Sequence, residues 1–216
     1  MNIYTYYQRL NPHKHSENMW LLDIWKKSWS CHGWNPVVLT LDDAKSHSLY
    51  ESFCKECYKF PTINPKEYEM ACYVRWLAMA SRTGWTTDYD VINYGFEPVN
   101  YNDDIVSLTG AMGGSTIYAP QTYYEHIVNV IMNYKFNENI NVVTLYDKQH
   151  IHVSDMTIMN LCLSPTRVIP IEKYYGSLGY DSSPLVHYNT YHLSQKNTNR
   201  KTAILTDPRS SKFIYE

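Results

Sequence analysis

The stretch NPKEYEMACYVRWLAMASRTGWTTDYDV (64–91) decides the fold class of this chain. Its first residues, Asn-Pro-Lys-Glu at 64–67, match a capping box with proline at the first helical position. Apolar residues follow at helical spacing, and Gly84 ends the predicted helix. A short strand (85–87) then runs directly into Asp-Tyr-Asp at 88–90. A helix, a strand and an acidic pair in succession are typical of one unit of an α/β sheet.

Helical and strand patterns alternate on both sides of this stretch. The predicted strands are 2–7, 37–40, 85–87, 105–109, 115–119, 141–145, 167–170 and 184–188. The predicted helices are 17–32, 41–53, 64–82, 120–136 and one that Ser154 opens, while 171–183 is a predicted loop. The pattern predicts a central, mostly parallel sheet flanked by helices in one domain, residues 1–193. The polar, basic residues 194–216 are predicted to be a C-terminal tail or linker.

Composition excludes several classes of protein. The chain has 216 residues and a net charge of -2, which argues against a nucleic-acid partner. A hydrophobic content of 44% excludes a mainly disordered chain. No apolar run approaches the roughly 18 residues that span a membrane. Five cysteines are few and odd in number, which favours a reducing compartment, so we expect a cytoplasmic protein.

The acidic pair is the strongest chemical signal. Side chains two positions apart in extended backbone share a face, so Asp88 and Asp90 repel each other unless a cation lies between them. Hard cations such as Mg²⁺ and Mn²⁺ take carboxylate and phosphate oxygens as ligands. Open α/β sheets bind ligands beyond the carboxyl ends of their strands. The sequence therefore predicts a divalent cation at this pair.

The stretch YEMACYVRWLAMASRTGWTTDYDV (68–91) resembles the DXD signature region of GT-A-fold glycosyltransferases. The opening NIYTYYQ (2–8) and the later VSLTGAMGGSTIYAP (106–120) are similar in order and character. Thr83 departs from the family, which usually has glycine there, and Cys72 stands where many relatives carry an acid. The size and the Tyr- and Asn-rich composition also resemble a glycosyltransferase domain of a large algal virus, which would act in the host cytoplasm.

The resemblance implies a GT-A-like fold and transfer from a nucleoside-diphosphate sugar, most often a UDP-sugar, to a glycan or glycoprotein hydroxyl. Asp90 would bind a Mn²⁺ or Mg²⁺ ion that bridges the two phosphates, and Asp88 would contact the donor or the metal. Arg75 would reach the donor, although an ion pair with Glu69 or an aspartate of the pair is the alternative. The residues around the base and ribose would be Tyr6, Tyr7 and Gln8.

A late histidine often supplies a third metal ligand in the family that this chain resembles. The pair Val186-His187 is similar to that pattern, and His192 is the competing candidate. Imidazole is an acceptable ligand for Mn²⁺, although carboxylate suits that ion better. The alternative for His187 is a histidine of the core or of the solvated surface.

Transfer with inversion needs a base that deprotonates the acceptor hydroxyl. Asp155 is the first candidate because it begins a helix in the late half of the chain. The alternative is that Ser154 caps this helix and that Asp155 is a first-turn acid, which the helix dipole stabilises. The other candidate bases are Asp103, Asp104 and Asp147.

Two other functions remain open. A sugar-phosphate nucleotidyltransferase usually has a glycine-rich loop after its first strand, but QRLNP (8–12) contains no glycine. A non-catalytic carbohydrate-binding module would use the many aromatic side chains, which comprise 21 Tyr, 6 Trp and 5 Phe. The pair Cys54 and Cys57 lacks a second pair at zinc-finger spacing, which argues against a zinc site.

Overall fold

A computed structural model describes residues 1–11, 15–102, 104–109, 115–145, 147–174 and 182–214. Its strands are Asn2–Tyr6 (β1), Asn35–Leu39 (β2), Gly84–Thr87 (β3), Val91–Asn93 (β4), Val106–Ser107 (β5), Thr116–Ala119 (β6), Val142–Leu145 (β7), Lys148–Ile151 (β8), Arg167–Val168 (β9), Glu172–Tyr174 (β10) and Leu185–His187 (β11). Its helices are His15–Ser30 (α1), Leu41–Lys45 (α2), Tyr50–Cys57 (α3), Lys66–Ala80 (α4), Gln121–Asn133 (α5), Asp155–Cys162 (α6), Thr190–Gln195 (α7), Arg200–Thr206 (α8) and Ser211–Ile214 (α9). A short 3-10 helix, Pro208–Ser210, precedes α9.

Within these residues the main sheet has six strands in the order β2-β1-β3-β6-β5-β9. Strand β1 is parallel to β2 and β3, and β9 is parallel to β5. Strand β6 is antiparallel to both of its neighbours, β3 and β5. Every described strand of this sheet except β6 therefore runs in one direction, and the sheet is mixed because both pairings of β6 are antiparallel. This arrangement confirms the α/β class.

Helices cover both faces of the sheet. Successive residues of a strand point to opposite faces, so Ile117 and Tyr118 of β6 enter different clusters of buried residues. One cluster packs α2 to α6 against the sheet, and the other packs α1, α8, α9 and the second sheet against it. No described helix is long and apolar enough to cross a membrane.

Helix α4 forms where it was predicted, but its first turn differs. Pro65 is the N-cap residue and not the first helical residue, and no side chain caps this end. The amide of Asn64 instead donates to Oε1 of Glu69 at 3.2 Å. Gly84 lies beyond the helix and opens β3 with φ +133°, a value that favours glycine.

A second sheet, with the order β10-β11-β4, positions the site. Strand β4 is antiparallel to β11, and β10 is parallel to β11. His187 therefore lies opposite Val91 on one side and opposite Tyr174 on the other. The prediction of a loop over 171–183 is wrong for residues 172–174. These residues form β10 because they pair with the buried strand β11.

The prediction of a C-terminal tail or linker is wrong over the described part of that segment, residues 194–214. This part forms α8, the 3-10 helix and α9 in place of the predicted tail or linker. Asn199 caps α8 by accepting a hydrogen bond from the backbone of Thr202. Ile204 and Phe213 are buried, and the Phe213 ring packs 5.8 Å from that of Tyr94. These apolar residues stabilise the segment on the core because they remove apolar surface from water.

Candidate metal centre

The three residues predicted to bind a metal lie together in the structure. Asp88 directly follows β3, Asp90 directly precedes β4, and His187 ends β11. One ligand atom of each residue lies within 4.8 Å of the others. The pairing of β4 with β11 produces this proximity, because it brings His187 beside Val91, the residue after Asp90.

Asp90 is the most tightly held member of the cluster. Its Oδ1 lies 3.2 Å from Nε2 of His187, and its Oδ2 accepts a hydrogen bond from Arg200 at 2.6 Å. Burial raises the pKa of Asp90, but His187 and Arg200 outweigh burial and lower this pKa to about 2. Asp90 is therefore ionised at neutral pH, as a metal ligand must be. The sequence did not predict Arg200, which lies in the segment expected to be a tail.

Asp88 faces the adjoining cleft. Its side chain is 33% exposed, and its Oδ1 accepts a hydrogen bond from Nη1 of Arg75 at 2.7 Å. Burial and the charge of Asp90 raise the pKa of Asp88, whereas Arg75 opposes this shift. A cation bound between the two aspartates would relieve their repulsion.

His187 is oriented by groups that the sequence did not predict. Its Nδ1 lies 3.3 Å from Oε1 of Glu172 and 3.1 Å from Oγ of Ser115. The ring of Tyr174 stacks on the imidazole with centroids 5.0 Å apart. Burial lowers the pKa of His187, but the charges of Asp90 and Glu172 outweigh burial and raise this pKa well above its ordinary value.

Arg75 joins the metal cluster to Asp155. Its Nε and Nη2 donate to Oδ2 of Asp155 at 3.0 and 2.6 Å, and Nε1 of Trp76 donates to the same oxygen at 2.8 Å. The other oxygen of Asp155 accepts from the backbone of Met156 at 2.8 Å. Asp155 is only 2% exposed, so its carboxylate faces Arg75 and not an acceptor. The ion pair of Arg75 with Asp88 matches one alternative that the sequence left open.

The helix that follows Ser154 also matches the alternative interpretation of Asp155. Ser154 caps α6 by accepting a hydrogen bond from the backbone of Thr157, and Asp155 lies in the first turn. Helix capping by Ser154 and stabilisation of Asp155 by the helix dipole both account for these residues without a catalytic role for Asp155.

Of the residues predicted to surround the base and ribose, Tyr6 lies in the cleft that Asp88 also lines. Tyr6, Arg75, Asp88 and Ser115 all line one cleft at the end of β3. The hydroxyl of Tyr6 donates to Oε1 of Gln8 at 2.8 Å.

Tyr7 belongs to a neighbouring aromatic group. Its hydroxyl lies 3.2 Å from Nδ1 of His15, and its ring meets the ring of Tyr89 edge-on at 5.7 Å. Because Tyr89 separates the two aspartates in the sequence, this contact holds the β1 end against the acidic pair.

The competing candidates lie in other surroundings. His192 stacks on Tyr174 at 4.6 Å and is not part of the metal-ligating group found among the described residues. Asp104 accepts a hydrogen bond from Thr166 at 3.3 Å, and Asp147 lies between β7 and β8 with φ +61°. Asp103 lies outside the described residues.

A second cleft adjoins the cluster through Arg200. It encloses about 140 Å³, which has room for a small ligand but is below the roughly 300–1,000 Å³ of a pocket for a drug-sized molecule. Its lining residues are Glu17, Asn18, Thr190, Leu193, Ser194, Thr198, Asn199 and Arg200. Most of these side chains can donate or accept hydrogen bonds, which suits a ligand with several hydroxyl groups.

The donor set fits a divalent cation that tolerates both oxygen and nitrogen ligands. Two carboxylates and one imidazole suit Mn²⁺ better than Mg²⁺, which prefers oxygen alone. The exposed side of Asp88 leaves the cluster accessible from the cleft. Comparison of the chain with models of known protein families, with curated proteins and with solved structures found no match.

Proposed function

We propose that this chain is a metal-dependent glycosyltransferase with a GT-A-like arrangement. It moves a sugar from a nucleoside-diphosphate sugar, with a UDP-sugar favoured, to a hydroxyl group of a glycan or glycoprotein. The observation that carries the proposal is the cluster of Asp88, Asp90 and His187 beside the cleft at the end of β3. The fold also supports the proposal. Strands β2, β1 and β3 are parallel, and the acidic pair follows the carboxyl end of β3.

Each residue has a defined task in this proposal. Asp88, Asp90 and His187 hold Mn²⁺ or Mg²⁺, which when bound supplies positive charge to the diphosphate leaving group. Arg75 presents its guanidinium to the same cleft and is fixed there by the carboxylates of Asp88 and Asp155. Asp155 is a positioning residue for Arg75 in this proposal, because its oxygens are already hydrogen-bonded.

The acceptor occupies the second cleft in this proposal. Arg200 lines that cleft and donates a hydrogen bond to Asp90, so a hydroxyl compound bound there lies one side chain away from the metal cluster. Hydroxyl and amide side chains, among them Asn18, Thr190 and Ser194, provide donors and acceptors for sugar hydroxyls. Specific recognition of hydroxyl groups requires such paired polar partners.

The proposal is tested by a thermal-shift screen of nucleotide sugars with and without Mn²⁺, followed by measurement of nucleoside-diphosphate release. A ligand that binds only the folded state raises the melting temperature. We expect a Mn²⁺-dependent shift with one nucleotide, lost in Asp90→Ala and kept in Asp23→Ala, an exposed control. A screen without any nucleotide-dependent shift would contradict the proposal.

The same screen separates the two rival functions. A carbohydrate-binding module would respond to glycans without metal or nucleotide. A nucleotidyltransferase would release pyrophosphate from a nucleoside triphosphate and a sugar phosphate, and would not release a nucleoside diphosphate.

A further inference from the structure

The side chain of Glu172 is unusual because it is a buried carboxylate with an incomplete set of hydrogen bonds. It is 1% exposed, and its Oε1 accepts a hydrogen bond from Ser115 and faces Nδ1 of His187. Among the described residues, its Oε2 has no hydrogen-bond partner. Burial of a charged group in this way costs free energy, and a neutral residue would avoid that cost. The position of this charge beside His187 therefore indicates a task at that ring.

The hydrogen bonds determine which nitrogen of His187 carries a proton. Ser115 has one hydroxyl hydrogen, which it donates to Glu172. Both neighbours of Nδ1, Oε1 of Glu172 and Oγ of Ser115, are therefore acceptors. The stable arrangement has a proton on Nδ1, because an unprotonated Nδ1 would face two oxygen lone pairs. In the neutral ring Nε2 is then unprotonated, and Nε2 is the nitrogen that faces Asp90 at 3.2 Å.

We propose that Glu172 is the positioning residue of the metal site, which accepts Nδ1–H of His187 and leaves Nε2 available to a divalent cation. This inference rests on the metal cluster of the proposed function. Carboxylates that bond to the second nitrogen of a metal-binding histidine fix the ring and raise its basicity. Strand pairing also supports the assignment, because β10 and β11 are neighbours and Tyr174 stacks on the same ring.

The test measures Mn²⁺ binding without any substrate. Free Mn²⁺ is followed by its electron paramagnetic resonance signal, and spin-echo modulation reports whether a nitrogen is bound to the ion. We expect Glu172→Ala to weaken Mn²⁺ binding by about 10- to 100-fold and to reduce the nitrogen modulation. Glu172→Gln keeps an acceptor oxygen for Nδ1–H, so it should restore the modulation and part of the affinity. The control is Glu69→Gln, which alters another buried glutamate and should leave both measurements unchanged.

The outcomes separate failure of this inference from failure of the metal site. Mn²⁺ that binds Glu172→Ala with wild-type affinity and wild-type nitrogen modulation overturns the role of Glu172 and leaves the site intact. If Asp90→Asn and His187→Ala bind Mn²⁺ like the wild type, the site itself is overturned and this inference with it. If Glu172→Ala does not fold, Glu172→Gln decides: weaker binding with nitrogen modulation supports the role, and unchanged affinity overturns it.

Discussion

Nε2 of His187 lies 3.2 Å from Oδ1 of Asp90, although the two residues are far apart in the sequence. The contact exists because β11 pairs with β4 and places His187 opposite Val91. A buried acid and a buried imidazole at this distance form a strong ion pair when the imidazole is protonated. The same two atoms are suitable metal ligands once that proton leaves, so one geometry accounts for the cluster with and without a cation.

Asp155 is expected to contribute strongly to stability. It is 2% exposed and accepts hydrogen bonds from Arg75 and Trp76. Removal of one partner from a buried ion pair costs about 3–5 kcal/mol, so Asp155→Ala should lower the free energy of unfolding by that amount. Urea denaturation measures the change. Asp23→Ala, which breaks an exposed pair with Lys27, should cost less than about 1 kcal/mol. Equal losses in the two variants would show that Asp155 is not a structural anchor.

Glu69 should make stability fall as the pH rises. Burial raises the pKa of Glu69 from 4.5 to about 7 in the folded chain, which exceeds the opposing effect of its bond with Asn64. Between these two values the folded state holds a proton that the unfolded state has released. The free energy of unfolding therefore decreases with pH across this window, and the loss is complete above it.

Glu69→Gln should remove this contribution, because the amide does not ionise. Urea denaturation at about pH 5 and about pH 8 should show that the variant loses less stability than the wild type between the two conditions. Glu51→Gln is the exposed control and should follow the wild type. Identical pH dependence in Glu69→Gln and the wild type would refute the raised pKa.

The C-terminal helices should be part of the cooperative fold. Phe213 is 2% exposed, and truncation of a buried phenylalanine costs about 3–5 kcal/mol. We expect Phe213→Ala to lower the free energy of unfolding by this amount. Tyr191→Ala, at a site that is 68% exposed, should have little effect. A Phe213→Ala protein as stable as the wild type would favour the original prediction of a tail.

Obstruction of the second cleft should impair binding of the acceptor and leave binding of the donor nucleotide unchanged. Ser194 lines this cleft, so Ser194→Trp should reduce sugar transfer at least about tenfold by displacing the acceptor hydroxyl. Binding of UDP with Mn²⁺, measured by calorimetry, should remain unchanged. Gln195→Trp, at the next position of α7, serves as the control. Undiminished transfer by Ser194→Trp would exclude this cleft as the acceptor site.

Much of the frame was predictable because it depends on local patterns. Parallel β1 and β2, helix α4 and the strand before Asp88 follow from hydrophobic spacing and turn residues, and the structure contains them. The two aspartates were predictable because they are two residues apart at the end of that strand. His187 was predictable only from the family resemblance, since nothing local in the sequence links it to Asp90.

Glu172 and Arg200 were missed for a physical reason. Each acts through a residue distant in sequence, and strand pairing or helix packing creates these contacts. The sequence contained one useful signal, since Asn199 followed by the apolar Ala203 and Ile204 matches a capped amphipathic helix. The basic character of the surrounding residues obscured it. Glu172 lacked such a signal because β10 is three residues long.

Calorimetric titration of UDP into the wild type and Asp90→Asn, with and without Mn²⁺, tests the central claim most directly. Melting curves of both proteins establish that each is folded. We predict that UDP binds the wild type only when Mn²⁺ is present and that Asp90→Asn binds UDP in neither condition. UDP binding that is independent of Mn²⁺, or that Asp90→Asn retains at wild-type affinity, would contradict a diphosphate held through a metal at Asp88, Asp90 and His187.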